Sequence, residues 1–429
     1  MNIFRESIPR TIILTVCAGI MPQLFFKNGF LLSYFLTMGL ESSDVLIILS
    51  LPSLFMLFLS VPFAYFADRH GIKRIGVLGI FLTVSGFLLL ILAAFFNSPA
   101  ASHFILSGII LFSIGVSSLL SGWFGLLSPL VPEAERGKFF GTLRVTWQVY
   151  AIGCSYAITR ILEQNTTLTT YQFLLLFFTI LLICQVFLYL KIPEVEKNRT
   201  RGESMRNILA KVPDIQGYMP FCAYCFLLML ATGSWPVTLG LLEKNVLSFS
   251  DDAIVHMGTM LFLGSILGFY AGGRLVDRFG TKIVFLVVHF SYFVFLFLVI
   301  LRGLVSFPMT TYFSILTFCL GLVQAASSIA LTSEMMALTP PSNRSVITSI
   351  CMSLQGGGAA ISGLISGKII EYGVLSKTWT FKSLTLSCYD SLILFYAVMV
   401  FVFIVTLGLI PSVVRTRKAQ WLPHSPKTI

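Results

Sequence analysis

Lys27 is the residue of this 429-residue chain whose position most needs a chemical explanation. It lies near the middle of a long apolar run that contains no acidic residue, five residues after Pro22. Burying an ammonium group costs at least ~3 kcal/mol, so water, a bound anion or loss of the proton must compensate it. Gln23 lies one helical turn earlier, and Asn28 follows directly. We therefore predict that Lys27, Gln23 and Asn28 line a cavity that binds an anionic group, with a structural ion pair as the alternative.

Four more polar or aromatic residues are predicted to line the same cavity. Gln148 and Gln355 recur 207 residues apart, and Gln324 lies far from both ends of its apolar run. Trp235 lies in a Gly-Ser-Trp-Pro stretch that echoes the glycine and proline before Lys27. Amides can bond a polar solute, a proline break frees backbone groups, and an indole offers a stacking face.

Two ionisable residues lie nearer the ends of apolar runs. Arg144 either lines the mouth of the cavity or extends to the membrane surface. Glu334 is expected to be half-solvated, and it is also a candidate for a gate or for a site that carries a coupling proton. These roles remain open from the sequence.

Composition indicates the class of protein to which these residues belong. Hydrophobic residues make up 56% of the chain and charged residues only 11%, whereas soluble domains carry roughly 25% charged residues. The net charge of +11 comes from basic residues in the gaps between apolar runs, so nucleic acid is not a predicted partner. Cys222 and Cys225 have the spacing of a redox or metal motif, but no second pair or nearby His follows. We predict an integral membrane protein that binds no metal or cofactor.

Apolar runs of about 20 residues or more predict twelve membrane-spanning helices. They divide into six and six around a polar linker, which gives predicted domains at 1–192 and 218–429, with a linker at 193–217. The predicted helices are 11–37, 44–66, 75–96, 104–130, 139–161, 171–191, 218–241, 253–275, 283–301, 308–336, 345–367 and 389–411.

The distribution of Lys and Arg predicts the orientation. With twelve spans, 21 of these residues lie in segments on the side of the two termini and 5 on the opposite side. Basic residues are enriched in cytoplasmic loops, so both termini are predicted to be cytoplasmic.

Two loops on the predicted cytoplasmic side repeat each other. Asp68-Arg69-His70-Gly71 returns 209 residues later as Asp277-Arg278-Phe279-Gly280, and Arg136 returns 208 residues later as Arg344. Each glycine allows a turn with positive φ. Each aspartate can accept hydrogen bonds from a neighbouring helix N-terminus or pair with Arg136 or Arg344. The repetition indicates a duplicated chain, although a loop that only sets orientation would also be basic.

The repeated loop resembles the signature loop of the major facilitator superfamily. Asp68, Arg69 and Gly71 match in the first half, and Asp277, Arg278 and Gly280 match in the second. The first half departs at Ala64, where the family has glycine. The resemblance implies an all-α membrane fold of twelve helices in two pseudo-twofold-related bundles. It also implies that the loop residues, with Arg136 and Arg344, gate the cytoplasmic side.

Together these patterns predict a secondary active transporter rather than an enzyme. Its partners would be a small, anionic organic solute, a coupling ion for which the proton is one candidate, and the lipid bilayer. A monomer in a bacterial inner membrane is expected. The alternatives are proton-coupled export of apolar drugs, for which only Glu334 offers an embedded acid, and a transporter-like receptor that no longer transports.

Overall fold

The computed structural model describes residues 7–26, 29–96, 100–127, 130, 136–194, 204–339, 344–382 and 384–409. In the first half, the helices are α1 (Ser7–Leu24), α2 (Phe30–Thr37), α3 (Ser42–His70), α4 (Ile72–Ala93), α5 (Ala100–Leu127), α6 (Arg136–Gln164) and α7 (Leu168–Lys191). A short helix, α8 (Met205–Lys211), lies in the linker. The second half contains α9 (Tyr218–Thr232), α10 (Trp235–Asn245), α11 (Asp251–Ile300), α12 (Met309–Leu338), α13 (Arg344–Glu371) and α14 (Cys388–Leu409). Strands β1 (Thr378–Phe381) and β2 (Leu384–Ser387) precede α14.

These helices form the predicted twelve crossings. Helices α1 and α2 together make one crossing, as do α9 and α10, whereas α11 makes two on either side of Gly280. Within the described residues, ten segments are long and apolar enough to span a membrane by composition alone. The remaining two crossings are α6 and α13, of 29 and 28 residues. Both pack against a helix of the opposite half, α6 on α11 and α13 on α3, so much of their surface faces protein rather than lipid.

The alternation of crossings defines two faces of the molecule. The terminal face is the one at which α1 begins and α14 ends, and it includes Gly71, Gly280 and α8. The hairpin face is the opposite one, and it includes Ser42, Asn245 and the two strands.

Close packing of α11 against α12 depends on glycine residues at the points where the two helices touch. On α11, a side chain at Gly264 would meet the backbone carbonyl of Phe318, and one at Gly268 would meet that of Leu322. Both carbonyls belong to α12, so the two backbones approach each other without intervening side chains. This is the small-residue packing by which helices associate where no hydrophobic effect drives them together.

The antiparallel hairpin of β1 and β2 is fixed by a buried ion pair. Arg302, after α11, donates from Nη2 to Asp390 Oδ2 at 3.0 Å, and Asp390 also accepts from the backbone N–H and hydroxyl of Ser387 at 2.7 Å each. Asp390 is fully buried, so the guanidinium compensates its charge while Ser387 bonds a remaining lone pair. The hairpin is therefore fastened to the second half. The hairpin has no counterpart among the elements predicted from the sequence.

Candidate solute cavity and gates

A cavity lies between the two halves, and both broken crossings contribute to its wall. Helices α2, α3 and α10–α12 line it, together with residues at the break between α1 and α2. The empty space between the helices is about 480 Å³ when its part open to solvent is counted, and the centres of water-sized spheres can occupy about 40 Å³ of it. Most of the wall is apolar, as at Phe26, Leu49 and Met257.

The helix breaks are where the cavity wall departs from regular structure. Helix α1 continues past Pro22 and ends at Leu24, and Gly29, with φ +79°, is the N-cap of α2. In the second half the break falls between Gly233, which caps α9, and Trp235, which begins α10. Trp235 lines the cavity, is 5% exposed, and contacts the Tyr292 ring edge-on at 6.1 Å between centroids. Of the residues predicted to bind solute, Trp235 is the one that the described structure places in this wall.

Lys27 and Asn28 lie outside the described residues, so the structure does not test their predicted role. Their chain neighbours Phe26 and Gly29 both line the cavity. Gln23 is half-buried on α1 and is not among the lining residues.

The three other predicted amides lie elsewhere. Gln148 is buried and donates from Nε2 to the carbonyl of Phe262 at 3.0 Å, which joins α6 to α11. Gln355 donates to Cys351 Sγ at 3.3 Å on its own helix, and Gln324 is half-buried on α12. Neither Gln148 nor Gln355 is among the residues that line the cavity, and each amide bonds to a partner other than the second amide. Gln148 instead strengthens the contact between the two halves.

Glu243 is a cavity residue that the sequence interpretation missed. The seventh crossing was predicted to end at 241, which left this carboxylate in a loop, but α10 continues to Asn245. Glu243 is 3% exposed and lines the cavity. Thr317 on α12 also lines it, and its buried hydroxyl has no hydrogen-bond partner in the described residues. The wall therefore offers two polar groups that α10 and α12 leave available to a ligand.

The hairpin face is closed over the cavity by contacts between the two halves. Asn245 donates from Nδ2 to Ser42 Oγ at 2.9 Å, and Tyr389 donates to the same oxygen at 3.0 Å. Beneath them, Leu32 packs against Gly240. Lys244 forms an ion pair with Asp251, which holds the end of α10 against the start of α11. We call Ser42, Asn245 and Tyr389 the hairpin-face gate.

The first repeated loop on the terminal face is joined to the linker. Gly71 has φ +109°, as expected for the glycine of this turn. The backbone N–H of Ile72, which begins α4, donates to Glu194 Oε1 at 2.8 Å. The N-terminus of α4 thus has a carboxylate acceptor, as predicted for this loop. The acceptor of this bond is Glu194, whereas the prediction named Asp68. Asp68 is half-buried, and Arg69 is exposed, with Nη1 3.4 Å from the Tyr65 hydroxyl.

The second repeated loop uses a different acid. Gly280 has φ +78°, and the hydroxyl of Thr281 donates to Glu334 Oε2 at 2.6 Å. Glu334 is only 6% exposed, so the expectation that it is half-solvated is wrong, because α12 packs its carboxylate against the loop. The exposed Arg278 lies over the Phe279 ring at 5.2 Å. The side chains of Asp277, Arg136 and Arg344 lie outside the described residues.

Arg144 contributes to the contact between the halves. It is half-buried on α6, and its guanidinium lies 5.4 Å from the centre of the Phe269 ring on α11. Arg144 and Gln148 therefore both join α6 to α11. Arg144 does so by a cation–π contact and Gln148 by a side-chain hydrogen bond.

The sequence profile of the Major Facilitator Superfamily matches residues 12–363 and 221–426. The chain belongs to the major facilitator superfamily. It is therefore a membrane transporter and not an enzyme, and the twelve-helix fold predicted from the sequence is confirmed.

Solved structures agree with this fold. The nucleoside transporter NupG matches with a TM-score of 0.66 at 15% identity, over 95% of this chain and 99% of that one. The xylose transporter XylE from E. coli, in a partially occluded inward open conformation, matches with a TM-score of 0.69 at 11% identity, over 96% and 99%. The human organic anion transporter MFSD10 (TETRAN) matches with a TM-score of 0.62 at 13% identity, over 94% and 100%. A comparison with curated proteins found no match to this transporter. At these identities the likeness shows the fold alone.

Proposed function

We propose that this transporter carries a small organic solute through the cavity between its halves by alternating access. The observation that carries the proposal is a cavity between the two halves, bordered by both broken crossings and closed at the hairpin face by the hairpin-face gate. The bodies that move are the six-helix halves at 1–192 and 218–429, joined by the linker at 193–217. Separation at the hairpin-face gate would expose the cavity to the opposite side of the membrane.

The solute is proposed to carry a carboxylate or phosphate. Support comes from Lys27, whose ammonium needs compensation in the membrane, and from its chain neighbours Phe26 and Gly29, which line the cavity. Lys27→Gln keeps much of the side-chain length and removes the charge. We expect this variant to insert and fold normally and to lose transport of an anionic solute. The matched control is Arg160→Gln, which removes an exposed cation that pairs with Glu163 away from the cavity.

A thermal-shift screen of the purified protein would identify the solute. The panel contains small carboxylates, phosphates, amines and neutral compounds at equal concentrations. A ligand present at about 100 times its dissociation constant stabilises the folded state by about 2.7 kcal/mol. The expected result is a rise in melting temperature with an anion for the wild type and the Arg160→Gln control, and no rise for Lys27→Gln. An anion that stabilises Lys27→Gln as well as the wild type would contradict the anionic assignment.

Proton-coupled export of apolar compounds is the second candidate. It is favoured by the mostly apolar wall and by Glu243, an embedded acid that the sequence interpretation had placed in a loop. A screen in which apolar compounds stabilise the protein and anions do not would support this candidate over the first.

The setting of the transporter is also part of the proposal. The excess of Lys and Arg on the side of the termini supports a cytoplasmic terminal face. We place the protein in a bacterial inner membrane as a monomer, with the hairpin face outside.

A further inference from the structure

Glu243 combines burial, a position in the cavity wall and the absence of a described partner. It is 3% exposed, and its side chain forms no hydrogen bond or ion pair with any residue that the structure describes. Its backbone carbonyl is used separately, as the acceptor for the Phe249 N–H. The carboxyl group of Glu243 is therefore available to bind a proton or a ligand in the cavity.

Several charged groups on the elements around α10 form ion pairs with residues other than Glu243. Lys244, the next residue, is paired with Asp251 of α11, and Asp390 of α14 is paired with Arg302. The other ionisable groups near the ends of these elements are Asp44 on α3, Asp252 and His256 on α11, and Tyr389 on α14. Tyr389 is bonded to Ser42. None of them is an arginine or lysine free to neutralise Glu243, and Lys27 lies outside the described residues.

A carboxylate ion in this position would be costly. Ionised groups removed from water are tolerated when they are paired or bonded by several donors, and otherwise they are neutralised. In a cavity that opens to water in one state and closes in another, the cost differs between the two states. A group whose charge is tolerated only in the open state exchanges its proton as part of the transport cycle.

We propose that Glu243 is the site of the coupling proton. The carboxyl group takes up the proton while the cavity is open to one side of the membrane, and releases it when the cavity opens to the other side. This inference rests on the proposed transport function and adds its driving ion. It replaces Glu334 as the candidate acid, because Glu334 lies at the terminal-face loop and its carboxylate already accepts a hydrogen bond from Thr281.

Carbodiimide labelling tests the assignment without knowledge of the solute. Dicyclohexylcarbodiimide enters apolar sites and reacts with protonated carboxyl groups there, and peptide mass spectrometry locates the adduct. The full-length protein, purified in detergent, is labelled at about pH 6 and about pH 9. We expect a Glu243 adduct at the lower pH and its loss at the higher pH, because burial keeps the acid protonated at the first and only the protonated acid reacts. Glu163 and Glu371, which are exposed and ion-paired, serve as internal controls and should stay unlabelled.

Infrared spectroscopy is a second measurement, which does not require a reagent to reach Glu243. The infrared carbonyl band of a protonated carboxylic acid should be present in the wild type and reduced in E243Q, and the difference should disappear at about pH 9. No adduct and no band difference at either pH would overturn the proposal. An adduct on Glu334 and none on Glu243 would also overturn it.

An organic cation at Glu243 is the remaining outcome to distinguish. Tetraphenylphosphonium is used as the probe. If no adduct forms at either pH and this cation raises the melting temperature of the wild type but not of E243Q, Glu243 is an ionised carboxylate that binds cationic ligands and the proton assignment is wrong. An adduct of equal yield at both pH values would mean that the acid never releases its proton, which also overturns the assignment. The assay does not require transport, so its failure leaves the proposed function standing. Equally, a failed solute screen would leave a positive labelling result intact.

Discussion

Removal of the Ser42 hydroxyl should shift the transporter toward opening at the hairpin face. Ser42 belongs to the first half, whereas Asn245 and Tyr389, which both donate to its hydroxyl, belong to the second. Ser42→Ala therefore deletes both polar contacts of the hairpin-face gate. Asn245 and Tyr389 remain bonded to each other at 2.9 Å, so the substitution leaves no buried group without a partner.

The magnitude follows from these two contacts. A neutral hydrogen bond contributes about 0.5–1.5 kcal/mol net, and the contact with Asn245 is solvent-exposed, which places it at the lower end. The loss of both should cost the closed state about 1–2 kcal/mol, equivalent to a factor of about 5–30 in the ratio of closed to open protein.

Labelling of a single cysteine in the cavity measures this ratio. The eight native cysteines are replaced, Thr317→Cys supplies the reporter in the cavity wall, and a membrane-impermeant maleimide is added to each side in turn. If opening is fast relative to labelling, the rate from the hairpin face should rise by about the same 5–30 fold in Ser42→Ala. Ser85→Ala is the matched control, because its exposed hydroxyl bonds only to Phe81 on its own helix. An unchanged rate from the hairpin face in Ser42→Ala would refute the gate.

Three other substitutions or fusions test separate parts of the structure. Gly264→Ala should lower stability by about 1–3 kcal/mol in thermal unfolding, since the added methyl meets Phe318, whereas Gly273→Ala on the same helix has open space and should not destabilise the protein. Asp68→Asn and Asp277→Asn should leave the melting temperature unchanged but alter cysteine accessibility from the two sides; unaltered accessibility in both would remove the aspartates from the gate. A phosphatase fused after Thr378 should be active and one fused after Lys197 inactive, and the reverse result would overturn the proposed orientation.

Most spans could be predicted from the sequence because length and hydropathy define ten of the crossings in the described residues, whereas α6 and α13 are less apolar. Even the break between α9 and α10 was visible, since glycine and proline punctuate an apolar run there. Which face of a helix a residue occupies was harder to predict. Gln148 lies on a helix that faces lipid on one side and protein on the other. Because both environments are apolar, the periodicity of hydrophobic residues does not show that the Gln148 amide bonds to Phe262.

Helix ends and long-range partners account for the other misses. Glu243 was misplaced because it begins a polar stretch with Lys244 and Asn245 after the last apolar residues of its crossing, and the helix continues through that stretch. The bond from Ile72 to Glu194 joins residues 122 positions apart, which no local pattern encodes. The strand alternation in Thr378–Phe381 and Leu384–Ser387 was present in the sequence, but the turn between the strands lacks the usual Asn-Gly or Asp-Gly signal.

The buried pair of Arg302 and Asp390 makes the β-hairpin a rigid external handle. Because the hairpin is fastened to the second half, an antibody fragment raised against β1 and β2 would travel with that half as a single body. The angle between this fragment and a marker on the first half would then report the rotation of one half relative to the other. Single-particle imaging could measure that angle without labels inside the membrane.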